Sequence, residues 1–252
     1  MLDAPSPVPH DPAEPDTVPY RWHEHRSFDT WTWSCAVAIA AELRRDLSRR
    51  PRVRLLLSGG TTPAPVYRAL ARAPLDWSRV DVALVDERWL QPEDPDSNAW
   101  LVRQHLLRDN AAAARFEALT RPGRSIQESA AFANAHALQP ATAAVLGMGE
   151  DGHTASLFPD MPDLQRSLAS RLASRLAYVV VDAEGCPGAR QWSKRISLTP
   201  SGLAQAQSRF LLIQGKAKRE AFQQALASGD VQRWPVLIGL EGATPLEVHW
   251  YP

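Results

Sequence analysis

Apolar residues along this chain fall into two patterns: short uninterrupted runs, and longer stretches in which they recur every three or four positions. Short runs are typical of strands buried on both faces, and the recurring spacing is typical of amphipathic helices. Phe28 to Leu47 shows the helical spacing, and Tyr20 to His25 alternates as an edge strand does. The runs that predict buried strands are Val53 to Leu57, Val80 to Val85, Ala143 to Leu146, Tyr178 to Val181 and Phe210 to Ile213.

Further helices are expected between these strands, and Thr62 and Pro63 are suited to begin the first of them, as N-cap and first-turn residues. The alternation of strand and helix predicts an α/β fold, with a mostly parallel sheet flanked by helices on both faces. Because no repeat or linker follows residue 20, residues 20–252 are predicted to form a single domain. The predicted helices are Ala64 to Ala71, Ala99 to Leu107, Ser125 to Leu138, Ser201 to Ala206 and Ala217 to Ala227.

Residues 1–19 differ from the rest of the chain in composition, with six prolines, four acidic residues and no basic residue. Such a segment lacks the apolar surface that folding requires. We therefore expect a disordered leader that lies outside the predicted domain.

Charge and composition exclude several classes of function. The 28 basic and 28 acidic residues give no net charge, which argues against a nucleic acid or an anionic membrane as partner. No apolar stretch reaches the length of a membrane helix and no signal-peptide pattern is found, so a cytoplasmic location is expected. The two cysteines are too few for a disulfide framework or a cysteine metal cluster.

Ligands of open parallel sheets bind beyond the carboxyl ends of the strands. The strand ending at Leu57 is followed by Ser58, Gly59, Gly60 and Thr61. Paired glycines let backbone amides approach a ligand, and the next helix would present further unpaired N–H groups, so the turn is suited to an anion such as phosphate. It matches neither glycine motif for nucleotides, and a plain tight turn is the alternative interpretation.

Charged residues follow the next strand, where Asp86, Glu87 and Arg88 stand in a row. Acids beside a guanidinium at a strand end predict an ordered charge network, whereas a solvated loop is the alternative. The segment Asp96 to Asn98 has the composition of a turn and helix cap.

Three glycines within six positions follow the strand that ends at Leu146 and allow a sharply bent backbone. This bend would present Asp151 and His153 at the end of the strand. A histidine beside a carboxylate can act as a general base toward water. A histidine that only completes the hydrogen bonding of a loop is the alternative, but the position among glycines at the predicted crevice favours catalysis.

Two cationic segments are predicted to lie beside strand ends, one at Lys194 and Arg195 and the other at Lys216 and Lys218. Their charges could converge on an anion held by the glycine turn. A phosphate held by amides, arginine and lysine requires no metal, and the sequence shows no clustered set of metal ligands. We therefore expect no metal at this site.

The chain resembles the 6-phosphogluconolactonase family, which is related to the glucosamine-6-phosphate isomerases/deaminases. The resemblance covers Tyr20 to the C-terminus and rests on four blocks in the family's order: LLLSGGTTP, VDERW with DSN, LGMGEDGHTASLFP, and RISLT with GKAK. It implies a Rossmann-like α/β fold and no required cofactor. It also implies hydrolysis of a small sugar-phosphate lactone, 6-phospho-D-glucono-1,5-lactone, to 6-phosphogluconate in the pentose phosphate pathway.

The resemblance also assigns roles to residues. His153 resembles the base that activates water, with Asp151 as the candidate that orients it. Arg88 is similar to an arginine that lines the family's substrate site, and Asp86 is similar to the base of the related isomerases. Lys218 is preferred to Lys216 because it lies three residues after a glycine, as the isomerase lysine does. The implied phosphate-binding residues are Ser58, Gly59, Gly60, Thr61, Arg195 and Lys218.

Two other functions are weighed against lactone hydrolysis. In the related isomerases a glutamate five residues past the histidine assists ring opening. This chain has Phe158 at that position, and an apolar ring cannot transfer a proton, which disfavours a deaminase. A non-catalytic sugar-phosphate sensor on the same fold is the second alternative. His153 and Asp151 argue for catalysis instead.

Overall fold

Strands and helices alternate along most of the chain, in a computed structural model that describes residues 19–137, 139–162, 164–165 and 176–252. The predicted leader, apart from Pro19, lies outside the described residues. The strands are β1 (Tyr20–Glu24), β2 (Val53–Leu57), β3 (Val80–Leu84), β4 (Asp86–Arg88), β5 (Arg115–Glu117), β6 (Ala143–Leu146), β7 (Tyr178–Asp182), β8 (Lys194–Leu198), β9 (Ser208–Gln214) and β10 (Leu246–Tyr251). The helices are α1 (Phe28–Leu47), α2 (Ala64–Leu70), α3 (Asn98–His105), α4 (Ile126–His136), α5 (Pro200–Ala204) and α6 (Gly215–Ser228).

Seven strands form one sheet in the order β1-β10-β9-β6-β2-β3-β5, and every neighbouring pair is parallel. The register places Leu55 of β2 between Val82 of β3 and Ala143 of β6. β1 lies at one edge of this sheet, as its alternating pattern predicted. The expected α/β fold with a mostly parallel sheet flanked by helices is confirmed.

Helix α1 shows why the apolar spacing predicted it correctly. Trp31, Cys35, Ile39 and Leu43 recur at helical spacing and are fully buried in the core. Ser27 caps the helix, since its hydroxyl accepts the backbone N–H of Thr30. The helix therefore begins and packs where its sequence indicates.

The other helices agree with the predictions to within a few residues, although Leu138, the last residue of one predicted helix, lies outside the described residues. Ser97 caps α3 as expected, because its hydroxyl accepts the N–H of Trp100 at 2.9 Å. The prediction that Thr62 caps α2 is wrong: Pro63 is the N-cap, and no side chain caps that helix.

No helix in the described part of the chain is long and apolar enough to cross a membrane.

A second sheet of three antiparallel strands, in the order β4-β8-β7, departs from the simple alternating pattern. The run Tyr178 to Val181 forms a strand, but it belongs to this sheet and not to the parallel one. Hydrophobicity alone does not specify which partner a buried strand selects. Strands β4 and β5 have only three residues each, and β8 begins with two charged residues. None of the three contains an apolar run from which it could have been predicted.

Three stacked imidazoles lie at the β1 edge of the parallel sheet. His249 of β10 is 4% exposed, its ring centroid is 4.5 Å from that of His23, and its Nδ1 is 3.1 Å from Nε2 of His25. Burial, followed by the charges of His23 and His25, lowers the pKa of His249 to about 3. The folded protein therefore excludes a proton that the unfolded chain binds with a pKa of about 6.5.

The difference in the pKa of His249 between the folded and unfolded chain predicts that acid destabilises the fold. Between about pH 6.5 and pH 3 the unfolded chain binds more protons at His249, so the free energy of unfolding falls as the pH falls. We expect a loss of about 1–2 kcal/mol from this residue between pH 6.5 and pH 5, measured by urea denaturation. His249→Gln should flatten the dependence, whereas the control His136→Gln, at an exposed position on α4, should not. Equal pH dependence in the wild type and His249→Gln would contradict the assignment.

Candidate active site

A cavity of about 490 Å³ lies at the edge of the parallel sheet where β2, β6 and β9 end. Part of its lining comes from segments that directly follow these strands, as the strand-end rule predicts, and the rest comes from β4, the start of α3, β8 and the segment before β8. Of the predicted site residues, Asp151 does not itself line the cavity but contacts His153, which does. The predicted residues that line it are Ser58, Gly59, Gly60, Thr61, Asp86, Arg88, His153, Arg195 and Lys218.

The glycine turn after β2 depends on glycine for two different reasons. Gly60 has a φ of 92°, which L side chains rarely adopt. Gly59 has no room for a side chain, since a Cβ there would stand 1.9 Å from Oδ1 of Asn98. The turn thus packs directly against the start of α3, and Ser58, its first residue, accepts a hydrogen bond from the Tyr67 hydroxyl on its carbonyl oxygen.

His153 and Asp151 form a close pair, with Nδ1 of the imidazole 2.6 Å from Oδ1 of the carboxylate. Burial would raise the pKa of Asp151, but hydrogen bonds from the His153 side chain and backbone and the attraction of a charged imidazole outweigh it, so the pKa is lowered. An ionised carboxylate only accepts hydrogen bonds, so Nδ1 must carry the hydrogen. In the neutral imidazole Nε2 is then unprotonated and can accept a proton.

Glycine and an aromatic ring hold this pair in place. A Cβ on Gly149 would lie 2.2 Å from Nδ1 of His153, and one on Gly188 would lie 2.7 Å from Oδ2 of Asp151. The imidazole also packs against the buried Phe158 ring, with centroids 4.6 Å apart. The pair is therefore confined by its surroundings, as a positioned base requires.

The acidic residues after β3 form a buried network, so the alternative of a solvated loop is wrong. Asp86 is 5% exposed and accepts the Ser156 hydroxyl at 2.6 Å. Glu87 is fully buried and accepts three backbone N–H groups, from Arg88, Asn98 and Ala99. Burial raises the pKa of Glu87 to about 7, although these hydrogen bonds favour the charged form.

Arg88, the last residue of β4, is bonded to the loop that precedes α3. Its Nη1 donates to the backbone oxygen of Asp96. The carboxylate of Asp96 in turn accepts Nε1 of Trp192 at 3.2 Å and Nε2 of Gln191 at 3.3 Å. Asp96 thereby connects three residues that line the cavity.

Arg195 lies in the buried part of the cavity wall, but most of its donors are already engaged. Nε donates to the Trp192 carbonyl at 2.8 Å and Nη2 to the Ala189 carbonyl at 2.7 Å. Its guanidinium also lies over the Phe158 ring, 5.2 Å from the centroid. Arg195 therefore organises the wall in addition to any role toward an anion.

The two lysines of α6 differ in position. Lys218 lines the cavity and is partly buried, whereas Lys216 is exposed. Burial lowers the pKa of Lys218, and the nearby carboxylate of Glu150 opposes the shift. Among the described residues no group of three or more His, Cys, Asp or Glu side chains could hold a metal ion.

Several lining residues were not predicted as site residues from the sequence. Asn98 was expected only as part of a turn and cap, although it touches the glycine turn. Arg190, Gln191 and Trp192 belong to an irregular segment before β8 that shows no periodic pattern. Ser156 was also not predicted; it does not line the cavity itself but donates its hydroxyl to Asp86, which does. Its position three residues after His153 in the glycine-rich block was the only available signal.

A family model described as glucosamine-6-phosphate isomerases/6-phosphogluconolactonase matches residues 28–249. The chain belongs to this family. A 6-phosphogluconolactonase of Xylella fastidiosa is 47% identical over 224 residues, covering 87% of this chain and 91% of that protein. One of Pseudomonas aeruginosa is 41% identical, covering 86% and 89%. The crystal structure of a 6-phosphogluconolactonase from Shewanella baltica superposes with a TM-score of 0.84 at 30% identity, over 94% of this chain and 98% of that one.

The comparisons confirm the resemblance noted in the sequence and the fold that it implied. The family name covers two reactions, the isomerisation of an amino sugar phosphate and the hydrolysis of a lactone. Membership in the family alone does not separate them. The separation depends on residues in the cavity.

The close packing of Gly59 leads to a stability prediction. Gly59→Ala should destabilise the fold by about 1–3 kcal/mol, because the new methyl group overlaps Asn98 and one of them must move. Gly147→Ala is the matched control in the same cavity, since a Cβ there meets only Ser58 Oγ at 3.8 Å. Urea denaturation measures both. Equal stability losses in the two variants would show that the turn does not pack against Asn98 as described.

Proposed function

We propose that this chain is a 6-phosphogluconolactonase, which hydrolyses 6-phospho-D-glucono-1,5-lactone to 6-phospho-D-gluconate, the second step of the pentose phosphate pathway. The observation that carries the proposal is that His153, paired with Asp151, lines a cavity that also contains the glycine turn and Lys218. A base and an anion site in one cavity suit a substrate with a phosphate at one end and an ester at the other. The identity to proteins named 6-phosphogluconolactonase supports this assignment.

In the proposed reaction, Nε2 of His153 takes a proton from a water molecule as its oxygen attacks the lactone carbonyl. Asp151 keeps the imidazole in the required tautomer and stabilises its charge once it is protonated. The oxyanion is stabilised by backbone amides of the glycine-rich turns or by Arg88, and one donor of this kind contributes ~3 kcal/mol in other hydrolases. When the carbon–oxygen bond of the ring breaks, the imidazolium returns its proton to the ring oxygen, which becomes the hydroxyl group of the product.

Substrate binding is proposed to orient the carbonyl toward the base. The amides around Gly59 to Thr61, the Lys218 ammonium and the remaining donors of Arg195 would hold the phosphate. Fixing the phosphate at one end places the ester near His153 and converts remote binding into orientation. No metal or cofactor is required in this scheme, and a cytoplasmic location remains a prediction.

The family's other reaction is disfavoured by the residue beside the base. Phe158 is 1% exposed and its ring packs against the imidazole. An amino-sugar isomerase needs a group there that can assist ring opening by proton transfer, and a phenyl ring cannot do so. The confined His153–Asp151 pair also argues against a non-catalytic sensor, which would have no use for a positioned base.

Removing the base tests the reaction. His153→Ala should lower kcat for freshly prepared 6-phosphogluconolactone by roughly 10²-fold or more, because the attacking water loses its proton acceptor. Acid release above the spontaneous rate measures hydrolysis, with glucosamine 6-phosphate as the control substrate. Near-full activity of His153→Ala would contradict the mechanism, and deamination of glucosamine 6-phosphate by the wild type would contradict the function.

The two lysines of α6 provide a matched test of phosphate binding. Lys218→Ala should lower kcat/KM by roughly tenfold or more, as expected when a charged hydrogen bond to substrate is lost. Lys216→Ala removes the same charge from the same helix at an exposed position and should change kcat/KM by less than about twofold. Equal effects of the two substitutions on kcat/KM would contradict a direct contact between Lys218 and the phosphate, because the charge of the helix alone would then account for the loss.

A further inference from the structure

Glu87 is a buried acid that the proposed reaction does not use. Its side chain is fully buried beside the cavity, and its carboxylate accepts backbone N–H groups from Arg88 at 2.8 Å, Asn98 at 2.8 Å and Ala99 at 2.7 Å. A buried carboxylate is costly unless it is hydrogen-bonded, and here both oxygens have partners. A carboxylate bonded in this way can hold the backbone segments that donate to it in fixed positions.

Two of the three N–H groups that Glu87 accepts belong to the start of a helix. Asn98 and Ala99 are the first two residues of α3, whose N–H groups have no partner within the helix. A negative charge at this end also matches the helix dipole. Glu87 therefore fixes the position of the first turn of α3 relative to β4.

That first turn carries a side chain into the cavity wall. Asn98 lines the cavity, and its Nδ2 donates to the carbonyl oxygen of Asp86 at 2.8 Å. Its Oδ1 occupies the space that a Cβ on Gly59 would need. Asn98 thus sets the separation between β4 and the glycine turn.

We propose that Glu87 is a positioning residue for substrate binding, which acts through Asn98 on the glycine turn. This inference rests on the proposed function, because it gives the turn the task of holding the substrate phosphate. Glu87 contacts no substrate in this scheme. It fixes the helix start that keeps the turn in a single conformation.

The role predicts a separation of binding from chemistry. In Glu87→Gln an amide NH2 group replaces one oxygen and faces a backbone N–H donor, so the first turn of α3 must shift. The shift reaches the glycine turn, while the contact between His153 and Asp151 remains. We expect KM for the lactone to rise about tenfold, with kcat changed by less than about threefold.

The experiment compares four proteins with the wild type: Glu87→Gln, Asn98→Ala, the double variant, and Glu93→Gln as control. Glu93 lies in the same region, but its side chain is 68% exposed and pairs with Arg103. KM and kcat are measured for the lactone, and the Kd for inorganic phosphate is measured by calorimetry. If Glu87 acts through Asn98, the double variant should resemble the worse single variant, because the two effects are coupled. Glu93→Gln should match the wild type.

Additive effects on KM, or an unchanged KM in folded Glu87→Gln, would overturn the proposal. If Glu87→Gln fails to fold, the test relies on Asn98→Ala, which retains the backbone hydrogen bonds to Glu87. An unchanged KM in Asn98→Ala would then overturn the proposal. Failure of the wild type to hydrolyse the lactone would overturn the proposed function alone. The phosphate Kd would then decide the positioning role, with a tenfold rise in Glu87→Gln supporting it and no change rejecting it.

Discussion

The parallel alignment of the seven-stranded sheet is the constraint on which the rest of the structure depends. Because all of its strands run in one direction, the segments that leave β2, β6 and β9 emerge at one edge. Residues nearly 160 positions apart in sequence, Gly59 and Lys218, therefore line one cavity. The burial of apolar strands holds the sheet in this alignment. The packing of the core therefore also determines where the cavity forms.

The second, antiparallel sheet adds what the parallel sheet lacks. Its strands β4 and β8 are rich in polar residues, yet most of these side chains are buried beside the cavity. Burial of Asp86, Glu87 and Arg195 is costly unless each is hydrogen-bonded, and each has partners from another segment. The bonding that compensates for burial also fixes the geometry of the cavity wall.

The sequence predicted those parts of the molecule that follow from local patterns. Helix α1 and the buried strands follow from apolar spacing, and the glycine turn and the His153 segment follow from residue types at strand ends. The pairing of strands that are distant in sequence could not be predicted in this way. Tyr178 to Val181 has the same apolar pattern as the other buried strands, although it joins the smaller sheet. The role of Asn98 likewise depends on its contact with Gly59, about 40 positions away, and no local signal reports such a contact.

A crystal structure of the protein with bound 6-phosphogluconate tests the central claim most directly, because the proposed mechanism assigns each end of the ligand to a different part of the cavity. The account predicts the phosphate within hydrogen-bond distance of the backbone amides around Gly60 and of the Lys218 ammonium, and the carboxylate beside the His153 imidazole. A ligand bound in the reverse orientation, with its phosphate at His153, or bound outside this cavity would contradict it.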